Sequence, residues 1–149
     1  MATFDSRTVA QRWAAQTTDS RNNNGSLYFH GPRIFSYGAH HLIGLLLDLR
    51  DYDPHGGTQK FVLINADRAS VTTSKQTSWV GGAAAIRHGA ENVFTVPGLT
   101  QADQEVIWLP GLTPRENMAR LRKVYPAVAD ALETNLAKRI SRNESLQTA

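Results

Sequence analysis

The chain has 149 residues, 41% hydrophobic and 19% charged, with sixteen Lys and Arg against thirteen Asp and Glu, a formal charge of +3 and no cysteine. That length allows one domain with a sizeable core and is short for two, and the composition excludes a disordered or fibrous chain. The missing cysteine excludes disulfides, thiolate metal sites and a cysteine nucleophile.

Charge is spread unevenly: six basic and five acidic groups in residues 1–60, three and four in 61–112, seven and four in 113–149. The excess lies in the C-terminal segment, which admits an anionic partner there. The opening "MATFDSRTVAQRWAAQ" lacks a basic stretch followed by an apolar one, so no signal peptide is expected. The apolar run Leu42–Leu49 is interrupted by Asp48 and is too short to span a bilayer. The expectation is a cytoplasmic protein with no membrane partner.

Asp5 or Ser6 can cap a first helix, with Val9, Ala10, Trp13 and Ala14 on one apolar face. "TTDSRNNNG" (Thr17–Gly25) has no periodicity and reads as a loop. "SLYFH" and "IFSYG" alternate around Gly31-Pro32-Arg33, a hairpin signal. "HLIGLLLDL" reads as a strand buried on both faces, joined through the turn cluster "DYDPHGGT" to the strand "KFVLIN", a second hairpin around residues 51–58. Ser70–Thr72 extends the sheet. Thr73 then opens a helix through the capping box Thr73-Ser-Lys-Gln76, with Trp79, Ala83 and Ile86 on one face and His88-Gly89 at its end. Gly81-Gly82 within that helix costs about 2 kcal/mol relative to a pair of alanines, which points either to close approach of another backbone or to a shorter helix. "NVFTV" is a short strand, and "TQADQEVIWLPG" is either one helical turn capped by Thr100 or a loop anchored by Trp108. Thr113-Pro114-Arg115-Glu116 opens a helix carrying Met118, Leu121 and Tyr125, and Pro126 breaks it or opens a second one lined by Val128, Leu132, Leu136 and Ile140.

The resulting expectation is an α+β fold: an N-terminal helix, a mostly antiparallel sheet of four to five strands with an inserted helix, and a C-terminal helical pair. Residues 1–149 form one domain, with a core at 1–97, helices at 113–142 and a frayed tail at 143–149. Trp13, Phe29, Phe61 and Leu63 are expected in the core.

Candidate chemistry is sparse. His40 and His41 are adjacent and point to opposite faces of a strand, and His30 meets His40 only if the hairpin register allows it, so no metal site is assigned. Asp48, Asp51, Asp53 and His55 could hold a divalent cation, but they lack calcium-loop spacing and read more simply as a solvated turn. No Gly-x-Ser-x-Gly elbow is present, so no catalytic residue and no cofactor are assigned. The hydroxyl-rich "SVTTSKQTS" opens a helix whose first amides are free, and Arg68, Thr72, Thr73, Ser74 and Lys75 make a candidate anion- or partner-binding set. Arg115, Arg120, Arg122 and Lys123 make a second, basic set around an apolar seam, and Tyr28, Phe35 and Tyr37 could stack bases if they face outward.

Three segments, "RTVAQRWAAQ", "NNGSLYFHGPRIFSYGAHHLI" and "VLINADRASVTTSKQTSWV", together resemble a small domain of unknown function common in bacteriophages and plasmids of actinobacteria and other bacteria. Its pattern is a tryptophan helix, a GSLYF…SYG…His hairpin and a Ser-x-Thr-Thr-Ser strand-to-helix step, here covering roughly residues 7–80. Where that domain tends to carry His after the Ser-Lys pair, this chain has Gln76, so a role for that imidazole does not transfer. The resemblance implies a mobile-element protein that acts by binding. The expected function is a non-catalytic binding protein acting on a host or phage protein or nucleoprotein complex, for instance an anti-CRISPR-like inhibitor of a host nucleic-acid-targeting defence. Direct nucleic-acid binding is the first alternative, and a metal-dependent hydrolase or nuclease using Asp51, Asp53 and His55 the second.

Overall fold

A computed structural model describes residues 2–36, 41–47, 60–67, 71–105, 107–109 and 111–148. Among the described residues, seven strands follow one another across a single sheet in chain order: β1 (Ala2–Phe4), β2 (Ser20–Asn22), β3 (Leu27–His30), β4 (Arg33–Ser36), β5 (His41–Leu47), β6 (Phe61–Asn65) and β7 (Val93–Val96). The class is α+β, but the sheet has seven strands where four to five were expected, and it is mixed. The β1–β2 and β6–β7 pairs are parallel and the pairs between them antiparallel. Each parallel pair is bridged by a helix, α1 (Ser6–Ala15) in the first and α2 (Val71–His88) in the second. The segment Thr17–Gly25 is therefore not all loop, because its residues 20–22 form β2.

The two faces of the sheet bury separate cores. On one face α1 and α2 pack over Leu27, Phe29, Ile34, Ile43, Leu46, Val62 and Ile64. The other face carries Leu42, Leu45, Leu47, Phe61, Leu63 and Val96 against α3 (Leu99–Gln104), α4 (Pro114–Val124) and α5 (Pro126–Thr148). Strands β5 and β6 alternate between these cores, which is why both read as nearly unbroken apolar runs. One irregularity sets the register. Ile34 pairs with Gly44 and Phe35 with Leu42, so Ile43 is an extra residue on β5, a β-bulge. Gly44 then lies under the Trp13 indole, where a Cβ would sit 2.9 Å from Cη2. Trp13, Phe29, Phe61 and Leu63 are all fully enclosed, as the sequence predicts.

Helix ends follow local chemistry. The Asp5 carboxylate accepts the Thr8 N–H at 2.7 Å and starts α1, and Gln16, at φ 53°, ends it. Thr113 and Glu116 form a capping box at the head of α4, and Pro126 opens α5. The Tyr125 hydroxyl between these two helices donates to the Pro97 carbonyl at 2.6 Å, fixing the pair on the sheet. The "TQADQEVIWLPG" segment starts in the short helix α3, begun after Gly98 rather than capped by Thr100, and buries Trp108. Helix α5 continues through Thr148, so most of the segment expected to fray is helical backbone.

Helix α2 departs most from expectation. It starts at Val71, so Thr73 and Gln76 lie inside it rather than forming a capping box, and Thr72 belongs to the helix rather than the sheet. Its buried positions are Thr73, Gln76, Val80, Ala84 and His88, a stripe with helical spacing. The apolar face picked from the sequence is not the inner one: Trp79 and Ala83 are half-buried and Ile86 is 90% exposed. Gly81 and Gly82 meet no other backbone, since a Cβ on either would find nothing within 4 Å. The turn at 51–58 lies outside the described residues.

Candidate functional site

The two motif-bearing segments meet where β4 ends, β5 begins and α2 enters. Ser36 is opposite His41 in the register, and its hydroxyl donates to Gln76 Oε1 at 2.6 Å and lies 3.3 Å from the Thr73 hydroxyl. Gln76 Nε2 donates to the Ser26 carbonyl at 3.3 Å and the Ser26 hydroxyl at 3.1 Å. Asn22 Nδ2 donates to the Ser26 hydroxyl at 2.9 Å and to the Ser6 hydroxyl at 3.1 Å, while Asn22 Oδ1 accepts the Leu27 N–H. Asn22, Ser26, Ser36, Thr73 and Gln76 are buried. Polar side chains removed from water need such partners, and here they join α1 to β2, β3, β4 and α2 in one chain of hydrogen bonds. The motif residues thus hold the helices to the sheet. The His41 Nε2 beside them is enclosed, with no hydrogen-bond partner among the described residues.

The anion-binding candidates are placed variously. Thr72 and Lys75 are exposed, Ser74 is half-buried, Thr73 faces the interior, and Arg68 lies outside the described residues. The basic C-terminal set sits on α4, on the opposite face of the sheet from α2, so the two sets are not brought together. Arg115 and Lys123 are exposed. Arg120 donates to the Glu105 carbonyl at 3.1 Å, and Arg122 pairs with Asp130 and, at 2.9 Å, with Glu133. These carboxylates raise the Arg122 pKa further, the Asp130 hydrogen bond contributing most.

Tyr28 and Phe35 face one another across β3 and β4 and stack at 5.4 Å, half-buried. Burial raises the Tyr28 pKa. His30 is exposed and lies 3.3 Å from Asp19, whose carboxylate also accepts the Gly31 N–H at 2.9 Å; that bond, more than the imidazole, lowers the Asp19 pKa. Tyr37, His40, Asp48, Asp51, Asp53 and His55 lie outside the described residues. Among the described residues, no group of three or more His, Asp or Glu could hold a metal ion, and no helix is long and apolar enough to cross a membrane.

A surface feature missed by the sequence lies along the outside of α2, which separates two grooves. The groove toward α1, about 380 Å3, is lined by the apolar Ala14, Trp79, Ala83 and Ile86, by Gly82, by the polar Gln11 and Ser78, and by Arg7 and Arg87. The Arg7 guanidinium lies 5.8 Å from the Trp79 ring centre, within cation–π range. The groove toward β6 and β7, about 620 Å3, is lined by Asn65, Asp67, Ser74, Thr77, Gly81 and Thr95 among others, with Asp67 as its charged group. Ser78 and Gly82 border both. A signal was present: Trp79, Ala83 and Ile86 repeat at helical spacing on the very helix whose first inner positions are Thr and Gln. Two apolar or polar stripes on one helix leave one of them for solvent or a partner.

Comparison of the chain with family models, curated proteins and solved structures finds no match.

Proposed function

We propose that this chain is a non-catalytic binding protein that engages a protein or nucleoprotein partner through the outer face of α1 and α2. The observation that carries this reading is Ile86, 90% exposed in a groove that the half-buried Trp79, Arg7 and Arg87 also line. Burying a side chain of that size on a partner contributes about 1.5–3 kcal/mol, and an aromatic next to an arginine is the composition of energetic centres in protein interfaces. The motif hydroxyls support the same view, because their hydrogen bonds are made within the fold. The resemblance to a phage and plasmid domain makes inhibition of a host nucleic-acid-targeting defence one concrete form of the activity, by analogy alone.

The test is affinity capture from a bacterial host with the intact chain and its Ile86→Asp variant in parallel. A protein or nucleoprotein retained by the first and lost from the second supports the proposal. Identical capture by both removes it, and nuclease-sensitive capture of nucleic acid alone favours the direct nucleic-acid reading.

A further inference from the structure

We infer that the α1–α2 groove receives an acidic amphipathic helix of the partner protein, seated over Gly82 with carboxylates toward Arg7 and Arg87; this rests on the reading of that face as the binding surface. Gly81 and Gly82 lie in helical backbone without positive φ, so alanine would fit at either position. A Cβ on either would meet nothing within 4 Å. Nothing inside the chain uses their missing side chains, yet two glycines in a helix interior cost about 2 kcal/mol relative to alanine. What they do provide is a low crest on α2, over which another backbone can approach closely.

Charge and shape choose among occupants. Arg7 and Arg87 line the groove together with its apolar side chains, and no acidic residue lines it among the described residues. A second copy in two-fold pairing would set these same cations against each other, on a chain whose formal charge is already +3. Nucleic acid would find two cations but would also cover Ile86, an aliphatic group with no charge or hydrogen bond to offer the phosphates that dominate such contacts. A helix with carboxylates on its flanks and apolar residues along one stripe satisfies both features. From Trp79 to Ile86 is about 10 Å along the helix at 1.5 Å per residue, two turns, the span of anchors at i, i+3 or i+4, and i+7.

The inference can be tested with a synthetic helical peptide bearing Leu at i, i+3, i+4 and i+7 and Glu at the flanking positions. A Lys-for-Glu version and a short single-stranded DNA serve as comparison probes. Binding is read from backbone amide shifts of the full chain and from the change in tryptophan fluorescence, assigned to Trp79 because Trp13 and Trp108 are enclosed and out of the peptide's reach. The Glu peptide is expected to shift resonances around Gly82, Ile86 and Arg87, and to bind about tenfold more weakly to Arg87→Glu. Gly82→Ala is expected to raise the melting temperature and weaken the peptide. Equal binding of the Lys peptide, binding of the DNA in place of the Glu peptide, self-association through this face, or a lowered melting temperature in Gly82→Ala would each overturn the inference. If the Glu peptide fails while Ile86→Asp still abolishes host capture, the acidic helix is wrong and the binding face stands. If Ile86→Asp changes no capture, the proposed function falls with it.

Discussion

Gln76 on α2 and Ser36 at the end of β4 share a 2.6 Å hydrogen bond inside the protein, and through it the helix is keyed to the middle of the sheet. The other end of the same amide reaches Ser26, so one side chain ties β4 to the residue just before β3. Replacing Gln76 with Leu keeps the volume roughly but leaves the Ser26 and Ser36 groups with fewer partners. Each buried group so orphaned costs about 1–3 kcal/mol. Urea unfolding of Gln76→Leu should show a lower midpoint at an unchanged slope; an unaltered midpoint would mean that water satisfies these groups and the network contributes nothing.

The same helix shows how far periodicity carries. Strands β3 to β6 were readable because alternation or an unbroken apolar run is a property of four or more consecutive residues, and these strands have between four and seven. Strands β1 and β2 have three residues each, too few to establish a period, and β2 lies in an Asn-rich stretch that also suits a turn. In α2 the apolar spacing was real, but it does not mark the inner side. Hydrophobic spacing marks Trp79, Ala83 and Ile86, whereas burial falls on Thr73, Gln76, Val80, Ala84 and His88, since partners on β3 and β4 make the polar positions at home inside. A sequence states which side chains are polar; it does not state that Ser26 and Ser36, some forty to fifty residues away, supply the matching groups.

Trp13 and Gly44 form a second keyed contact. The indole is fully enclosed, its Nε1 donates to the Pro32 carbonyl at 2.9 Å, and its ring lies against the glycine produced by the β5 bulge. Trp13→Ala should cost about 3–5 kcal/mol. Gly44→Ala adds a methyl 2.9 Å from Cη2 and 3.3 Å from Ile34 Cγ2, and overpacking of this kind should cost about 1–3 kcal/mol. Thermal and urea denaturation of both variants would measure this. A neutral Gly44→Ala would show that the indole can withdraw without loss.

Arg33 on β4 grips Asp103 on α3 through two guanidinium nitrogens, at 3.0–3.1 Å, and also donates to the Trp108 carbonyl at 3.0 Å. Both side chains are largely covered, at 24% and 18% exposure, so solvent screens the pair only partly. Asp103→Asn keeps the shape and removes the charge, and hydrogen bonds to charged partners contribute about 1.5–3 kcal/mol. The expected result is a loss in that range that changes little with salt, measured by urea unfolding at low and high sodium chloride. A loss abolished by moderate salt would identify the pair as an ordinary surface ion pair.

His88 fixes the far end of α2. Its Nδ1 accepts the Lys60 N–H at 2.9 Å while Nε2 lies 2.8 Å from the Ala14 carbonyl, so the neutral ring carries its proton on Nε2. A proton on Nδ1 would point at another N–H. Burial lowers the pKa of this imidazole below its ordinary 6.5, and the Lys60, Arg87 and Arg139 charges lower it further against the opposing Ala14 bond. Between that depressed value and 6.5 the unfolded chain binds more protons than the folded one, so His88 stabilises fully above pH 6.5 and progressively less as pH falls through the window. The slope there reaches at most about 1.4 kcal/mol per pH unit. His88→Gln can keep a donor toward Ala14 and an acceptor toward Lys60 without titrating. Urea unfolding of both proteins at pH 7.5 and pH 5.5 should therefore show a smaller loss of stability in the variant on acidification. Equal losses would mean that His88 takes up its proton in the folded protein as readily as in the unfolded chain.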